Sequence, residues 1–194
     1  MSSLKEKTAK GLFWGGMNNM VQQIVGLAFG IVLGRLLSPY DYGMMAMISV
    51  FSLVATALQD SGFKVALTNQ EKPTDADYNS VFWFNIIMGL AMYAMLFAAA
   101  PLIAHYYNTP KVVPLCRLAF LSIVIASLGT AQSAWLFKNL RAKQQAKASM
   151  AAVLMSSCVG AGMAFAGMAY WSLATQGLVY VGSNTLLQWH SWAW

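Results

Sequence analysis

Charged side chains are scarce in this 194-residue chain, where they make up 9% of the residues against 58% for hydrophobic ones. Average soluble domains carry about 25% charged residues, so this chain lacks the polar side chains that a water-facing surface needs. Cysteine is also rare, and 2 cysteines exclude a disulfide scaffold. These shortages exclude a disordered chain, a collagen, a coiled coil and an ordinary cytosolic enzyme.

Groups that carry enzyme chemistry are almost absent. The chain has 6 acidic residues and 2 histidines, and His105 and His190 stand alone. No spacing of His, Cys, Asp and Glu resembles a metal site, and no glycine-rich phosphate loop follows a strand. We therefore expect a protein that is not an enzyme and uses no metal or cofactor. The net charge of +6 does not indicate nucleic acid, because membrane proteins retain Lys and Arg in cytoplasmic loops.

Long runs without charge are what the chain does have. They occupy residues 11–34, 42–59, 78–110, 118–137 and 148–194. A membrane helix needs about 20 predominantly apolar residues. Each of the first four runs holds one span, and the fifth fits two, broken near Gly167 to Trp171. The sequence therefore predicts an all-α, polytopic membrane helix bundle with six transmembrane helices, at about 12–37, 39–58, 80–104, 114–136, 148–167 and 171–190.

The connectors between these spans carry helix-start signals. Ser38 is the expected N-cap of the second helix, with Pro39 at its first position and Asp41 two residues later. Asp75 and Asp77 lie near the start of the third helix, where the helix dipole favours acidic groups. The first signal predicts a tight hairpin, and the second predicts a polar cytoplasmic turn.

Lys and Arg are distributed unevenly over the two sides of such a bundle. With the N-terminus inside, the external segments hold Arg35, Lys111 and Arg117. The cytoplasmic segments then hold the other nine basic residues: Lys5, Lys7, Lys10, Lys64, Lys72, Lys138, Arg141, Lys143 and Lys147. This 9-to-3 asymmetry predicts that both termini are cytoplasmic.

Four amides interrupt the first apolar run. Asn18 and Gln22 are four residues apart, as are Asn19 and Gln23, so they form a stripe along one helix. Unpaired amides that face lipid are costly, and the stripe is expected to face protein or a wet cavity. Hydrogen bonding between helices and contact with a substrate in a cavity both remain open. We take Asn18 and Gln22 as candidate substrate-binding residues.

Four charged residues at the ends of spans are further candidates. Asp60 and Lys64, four residues apart, are candidates for a gating ion pair, although a pair at the membrane interface explains them more simply. Arg35 is a candidate contact for a substrate phosphate, but a cation is favourable at a helix C-terminus in any case. Arg117 lies near a helix N-terminus, where the dipole disfavours a cation. It is expected to have an acidic partner, a lipid phosphate or a substrate.

Five segments carry a family resemblance when read in order. They are LGRLLSPYDYGMMAM at 33–47, DSGFKVAL at 60–67, FWFN at 82–85, APLIAHYYNTP at 100–110 and LFKNLRAKQQAKAS at 136–149. Together they resemble the N-terminal half of the bacterial polysaccharide-export flippases. These belong to the MOP superfamily, which also contains the MATE drug exporters. The closest likeness is to the O-antigen and teichuronic-acid exporters.

The resemblance implies a fold, a cargo and a location. It implies two six-helix lobes around a central cavity in the bacterial cytoplasmic (inner) membrane. The implied cargo is a lipid-linked oligosaccharide, typically an undecaprenyl-pyrophosphate glycan used in polysaccharide or lipopolysaccharide biosynthesis. Membrane lipids and other polysaccharide-assembly membrane proteins are further implied partners. Since family members have twelve or fourteen helices, residues 1–194 are expected to form a single lobe, as a fragment or a truncated product.

Three other interpretations remain beside the flippase lobe. A MATE-type exporter of small cations shares the fold but is expected to have carboxylates within its spans. A membrane-embedded glycan polymerase or glycosyltransferase is expected to have a large external loop or a catalytic acid, and Asp41 is the only acid predicted on the external side. The third is an inactive truncated product that inserts into the membrane and has no transport function.

The topology can be tested by cysteine labelling. We predict that Asn108→Cys reacts with a membrane-impermeant thiol reagent added outside the cell, whereas Asn69→Cys reacts only after permeabilisation. Replacing Cys116 and Cys158 by Ala removes the background. Labelling of position 69 from outside, or failure to label position 108, would contradict cytoplasmic termini.

Overall fold

The computed structural model describes residues 2–59, 69, 74–139 and 141–191, and within them the chain is helical. Seven helices follow one another in this part of the chain. They are α1 (Ser2–Leu36), α2 (Pro39–Gln59), α3 (Asp75–Tyr106), α4 (Val112–Ser127), α5 (Thr130–Lys138), α6 (Ala142–Phe165) and α7 (Tyr170–Ser191). The prediction of an all-α chain is confirmed.

The helices follow the order of the predicted spans, but α1, α3 and α6 begin ten, five and six residues before the predicted starts, and the fourth span is interrupted. Helices α1, α2, α3, α6 and α7 each occupy one predicted span, but the fourth is divided into α4 and α5, which meet at a bend of 43°. Four helical segments in the described residues are long and apolar enough to cross a membrane: Ala9–Leu36, Pro39–Leu58, Asp75–Tyr106 and Ala142–Phe165. The bent pair makes a fifth if it is one span. Six spans therefore remain a prediction.

Two helices begin with reciprocal hydrogen bonds between a hydroxyl residue and an aspartate. The Asp41 carboxylate accepts from the Ser38 amide at 2.9 Å and from its hydroxyl at 2.7 Å, while the Asp41 amide donates back to Ser38 Oγ. Thr74 and Asp77 form the same capping box at the start of α3. Each box satisfies amides that a helix start leaves unpaired. The predicted roles of Ser38 and Asp41 are confirmed.

Helices α3 and α6 end in left-handed residues that turn the chain back. Asn108 has φ 51° and Gly167 has φ 79°. The amide after each of them reaches back to the helix, from Thr109 to the Ala104 carbonyl and from Met168 to the Met163 carbonyl. This is the Schellman arrangement, which favours Gly and tolerates Asn at the left-handed position. The predicted break near Gly167 is confirmed.

Packing is most extensive between α6 and α7, α3 and α4, α1 and α6, and α4 and α7. The main core cluster includes Met44, Ile48, Leu115, Phe120 and Ile123, whose side chains are fully buried. Helices α6 and α7 approach closely at Gly160, because a Cβ atom there would lie 3.0 Å from the Gln176 side chain. The helices therefore form a bundle in which α7 lies between α6 and α4.

Helix α1 lies parallel to α6 along its length. Near one end Gly11 packs against Ala142, and near the other Leu33 packs with Ala164. Its remaining surface exposes large apolar side chains, including Met20, Ile24 and Leu27. Such a surface suits lipid or further protein rather than water.

Candidate functional site

The break between α4 and α5 is the main irregularity of the bundle. Helix α4 ends at Ser127 and α5 begins at Thr130, which leaves Leu128 and Gly129 between them. A break of this kind frees backbone carbonyl groups from the helical hydrogen-bond pattern. In an apolar environment each freed carbonyl needs another donor, because no water is available to supply one.

Helix α7 supplies those donors. The Trp189 indole donates to the Leu128 carbonyl at 2.9 Å, and the Thr185 hydroxyl donates to the Ile125 carbonyl at 3.4 Å. When the side-chain amide of Gln132 is oriented so that both its nitrogen and its oxygen have partners, the nitrogen donates to the same Leu128 carbonyl and the oxygen accepts from the Trp189 indole. A Cβ atom on Gly129 would lie 3.0 Å from the Thr185 hydroxyl, so a glycine permits the approach of α7.

A polar cavity of about 220 Å³ opens beside this break. Its walls come from the end of α4, the start of α5 and one face of α7. The lining residues are Ala126, Gly129, Thr130, Ser133, Tyr180, Val181, Asn184, Thr185 and Gln188. None of these side chains is charged. Asn184 Oδ1 is buried here without a hydrogen-bond partner among the residues that the structure describes.

Two of the hydroxyl groups in the cavity donate hydrogen bonds to backbone carbonyls. Thr130 donates to the Ala126 carbonyl and Thr185 to the Ile125 carbonyl. The oxygen lone pairs of both remain able to accept a hydrogen bond or to coordinate a cation. The described residues contain no group of three His, Cys, Asp or Glu side chains that could hold a metal ion. Any ion in this cavity would therefore meet neutral oxygen ligands.

The candidate residues Asn18 and Gln22 lie on the half-buried side of α1, which packs against α6. Gln22 donates to Asn18 Oδ1 at 3.1 Å, so the two amides pair within one helix. Asn19 and Gln23 are exposed. The amide stripe is thus divided into a half-buried inner pair, Asn18 and Gln22, and an exposed outer pair, Asn19 and Gln23.

The inner pair lies at the edge of a polar band that crosses the bundle. The register between α1 and α6 places Asn18 level with Ser149, which is buried. The side chain of Ser149 lies beside that of Tyr180 of α7, and Tyr180 lines the cavity beside the helix break. Polar side chains of α1, α6, α7 and α5 therefore share a layer of an otherwise apolar bundle.

The two candidate arginines are exposed at the opposite end of α1 and near the start of α4. The Arg117 guanidinium carbon lies 4.1 Å from the centre of the Phe97 ring, a cation–π contact. Asp41 is not its partner, because Asp41 is a buried residue and its carboxylate accepts hydrogen bonds from Ser38. Of the three partners considered for Arg117, the acidic one is therefore not Asp41, and within the described residues the guanidinium group contacts the Phe97 ring. Arg35 ends α1, as predicted.

The structure does not gather all the candidate residues into one site. Asn18 and Gln22 belong to the polar band, whereas Arg35 and Arg117 lie towards the end of the bundle where α1 ends and α4 begins. Asp60 and Lys64 lie outside the described residues. None of the cavity residues was predicted from the sequence, although Tyr180, Asn184 and Gln188 recur at every fourth position of α7. That spacing marks one helix face, and it is the same signal that identified Asn18 and Gln22.

Comparison with known proteins places these features in context. A family model described as polysaccharide biosynthesis protein matches residues 32–194. The teichuronic acid biosynthesis protein TuaB of Bacillus subtilis is 24% identical over 72% of this chain and 29% of its own length. The lipopolysaccharide biosynthesis protein WzxC of Escherichia coli is 24% identical over 78% of the chain and 31% of its own length.

The succinoglycan biosynthesis transport protein ExoT of Rhizobium meliloti is 26% identical over 75% of the chain and 29% of its own length. The chain therefore spans about three tenths of the length of these relatives. No solved structure matches it significantly.

The hydrogen bond between α7 and the helix break can be tested by one substitution. We predict that Thr185→Val lowers stability by about 1 kcal/mol, because the Ile125 carbonyl loses its donor in an apolar setting. The matched control is Thr56→Val, since Thr56 donates only to carbonyls of its own helix. Thermal unfolding of the purified variants measures the difference. Equal melting temperatures for the two variants would contradict the role of Thr185.

Proposed function

Because this chain belongs to the polysaccharide biosynthesis protein family, we propose that it is one lobe of a secondary transporter that moves a lipid-linked oligosaccharide across the cytoplasmic membrane. The relatives whose names state a role act in teichuronic acid, lipopolysaccharide and succinoglycan biosynthesis, and one of them is named a transport protein. In this proposal the lobe has six spans, with both termini cytoplasmic, and rocks against a second lobe.

The polar band is the observation that carries this proposal. Cargo of this kind has a polar glycan and an apolar lipid tail, so its carrier needs hydrophilic groups inside an apolar bundle. The band supplies hydroxyls and amides from Asn18 and Gln22 through Ser149 and Tyr180 to Asn184. The outer surface of α1 stays apolar and suits the lipid. Sugars are recognised through such neutral hydrogen-bonding groups.

The arginines are proposed to meet the phosphate groups of the cargo. Arg117 is exposed, and its contact with Phe97 uses the face of the guanidinium group. The N–H groups lie at the edge of the plane and are left to bind an anion in the bidentate manner that suits a phosphate. Arg35 is exposed at the end of α1 and supplies a second cation. Asp60 and Lys64 are proposed to open and close as a gate.

Export measured in a complete two-lobe protein tests the proposed role of the inner amide pair. We predict that replacing Asn18 and Gln22 together by Leu abolishes glycan export and leaves membrane insertion intact. The matched control replaces Asn19 and Gln23 by Leu, one residue further along the same helix, and it should retain export because those side chains are exposed. Unaffected export, or lost insertion, in the inner double variant would favour a packing role.

A second prediction concerns the charge of Arg117. Arg117→Lys should retain part of the export, because Lys keeps the charge but loses the bidentate geometry. Arg117→Gln should abolish export at normal protein levels. Phe97→Leu is the control, since it removes the ring under the arginine and keeps the cation. Wild-type export by Arg117→Gln would exclude a phosphate contact at this residue.

A further inference from the structure

Three exposed cations lie around the start of α6, where this helix meets α1 and the end of α5. They are Arg141, Lys143 and Lys147. The Arg141 guanidinium carbon lies 4.7 Å from the centre of the Trp135 ring, and Lys143 Nζ lies 5.4 Å from the centre of the Trp14 ring. These three cations and two tryptophans form a basic–aromatic patch at one end of the bundle.

The patch has a local excess of positive charge. Neither α5 nor α6 contains an acidic residue. Within the described residues, the side chain of Arg141 contacts the Trp135 ring and the neutral side-chain amide of Gln144. Arg141 and Lys143 also lie at the start of α6, and the dipole of a helix disfavours cations there. An anion bound to the patch would balance this charge.

The face of α6 that carries the two lysines becomes apolar further along the helix. Lys143, Lys147, Leu154 and Cys158 follow one another at intervals of four, seven and four residues, so they share one helix face. All four are exposed. At a rise of 1.5 Å per residue, Leu154 lies about 17 Å beyond Lys143 along the helix axis. A ligand with an anionic head and a long apolar tail matches both parts of this face, whereas a soluble anion matches only the first.

The patch also lies at the level where lipid headgroups meet a membrane helix. The segment Ala142–Phe165 is long and apolar enough to cross a membrane, so the three cations lie at one of its ends. Tryptophan is enriched at the membrane–water interface, and lysine near the end of a span extends its ammonium group towards the headgroups. Trp14 and Trp135 fit this placement.

We propose that the basic–aromatic patch binds the phosphate group of an anionic phospholipid of the surrounding leaflet, with phosphatidylglycerol as the representative lipid. Arg141, Lys143 and Lys147 contact the phosphate oxygens, and an acyl chain lies along the apolar part of α6. The two tryptophan rings restrict the cations that they contact, so less side-chain freedom is lost when the lipid binds. The inference does not depend on the cargo, because it rests on the charges and the apolar face of α6 alone.

Native mass spectrometry of the detergent-solubilised chain tests the proposal, because it counts bound lipids and gives the affinity for the first one. Phosphatidylglycerol should bind about tenfold more tightly than phosphatidylcholine, which has the same phosphate but no net charge. Lys143→Gln should weaken the binding of phosphatidylglycerol about fivefold, and Lys143→Arg should retain it. The control Lys111→Gln removes an exposed cation at the other end of the bundle and should have no effect. Equal affinities of the wild type for the two lipids, or equal losses in Lys143→Gln and Lys111→Gln, overturn the proposal.

A further pair of variants tests the apolar part of the face. Leu154 and Leu90 are about equally exposed, at 48% and 50%, but Leu90 belongs to α3. Leu154→Gln should weaken the binding of phosphatidylglycerol about fivefold, and Leu90→Gln should leave it unchanged. Equal effects of the two changes contradict an acyl chain on α6. Glycerol phosphate is the competing probe, and binding as tight as that of phosphatidylglycerol, with the same dependence on Lys143, would identify a soluble-anion site and overturn the lipid.

Discussion

The arrangement of the helices depends on one constraint. Backbone carbonyls that are freed at a helix break need hydrogen-bond donors, and an apolar bundle holds no water to supply them. The chain breaks its fourth apolar run at Leu128 and Gly129, and the freed carbonyls are bonded by Trp189 and Thr185 of α7. Since neither lipid nor an apolar core offers a substitute donor, α7 must lie against the break. That requirement places α7 between α4 and α6, and it brings the polar face of α7 to the cavity.

The polar band follows from the position of α7. Tyr180 lies one turn before Asn184 on the face that meets the cavity, and it also reaches Ser149 on α6. Helix α1 packs against α6 with Asn18 and Gln22 on its half-buried side. The polar groups of the band are therefore packed against protein, as the cost of burying an unpaired amide requires, whereas Asn19 and Gln23 on the other side of α1 stay exposed. The result is a hydrophilic layer in a chain with little polar composition.

Charged side chains that make defined contacts lie near the ends of the helices. Asp41 and Asp77 are used in capping boxes, so these acids stabilise helix starts. Arg117 lies against an aromatic ring. At the other end of the bundle Arg141 and Lys143 lie over the rings of Trp135 and Trp14. Aromatic faces thus accompany cations at both ends, where a side chain can keep its charge in contact with water.

The sequence by itself determined whatever depends on local order along the chain. Runs without charge gave the positions of the helices, and Ser38 with Asp41 gave the start of α2, because capping and hydropathy act within a few residues. Gly167 similarly marked the turn between α6 and α7.

Tertiary structure decided whatever depends on a distant partner. The bend between α4 and α5 needs donors from α7, about sixty residues away, and the Phe97 ring beneath Arg117 comes from a different helix. Apolar composition did not reveal that bend, because Leu128 and Gly129 lie within an uncharged run that reads as one span. The cavity and its unsatisfied Asn184 oxygen exist only where three helices meet, and no local pattern specifies that meeting.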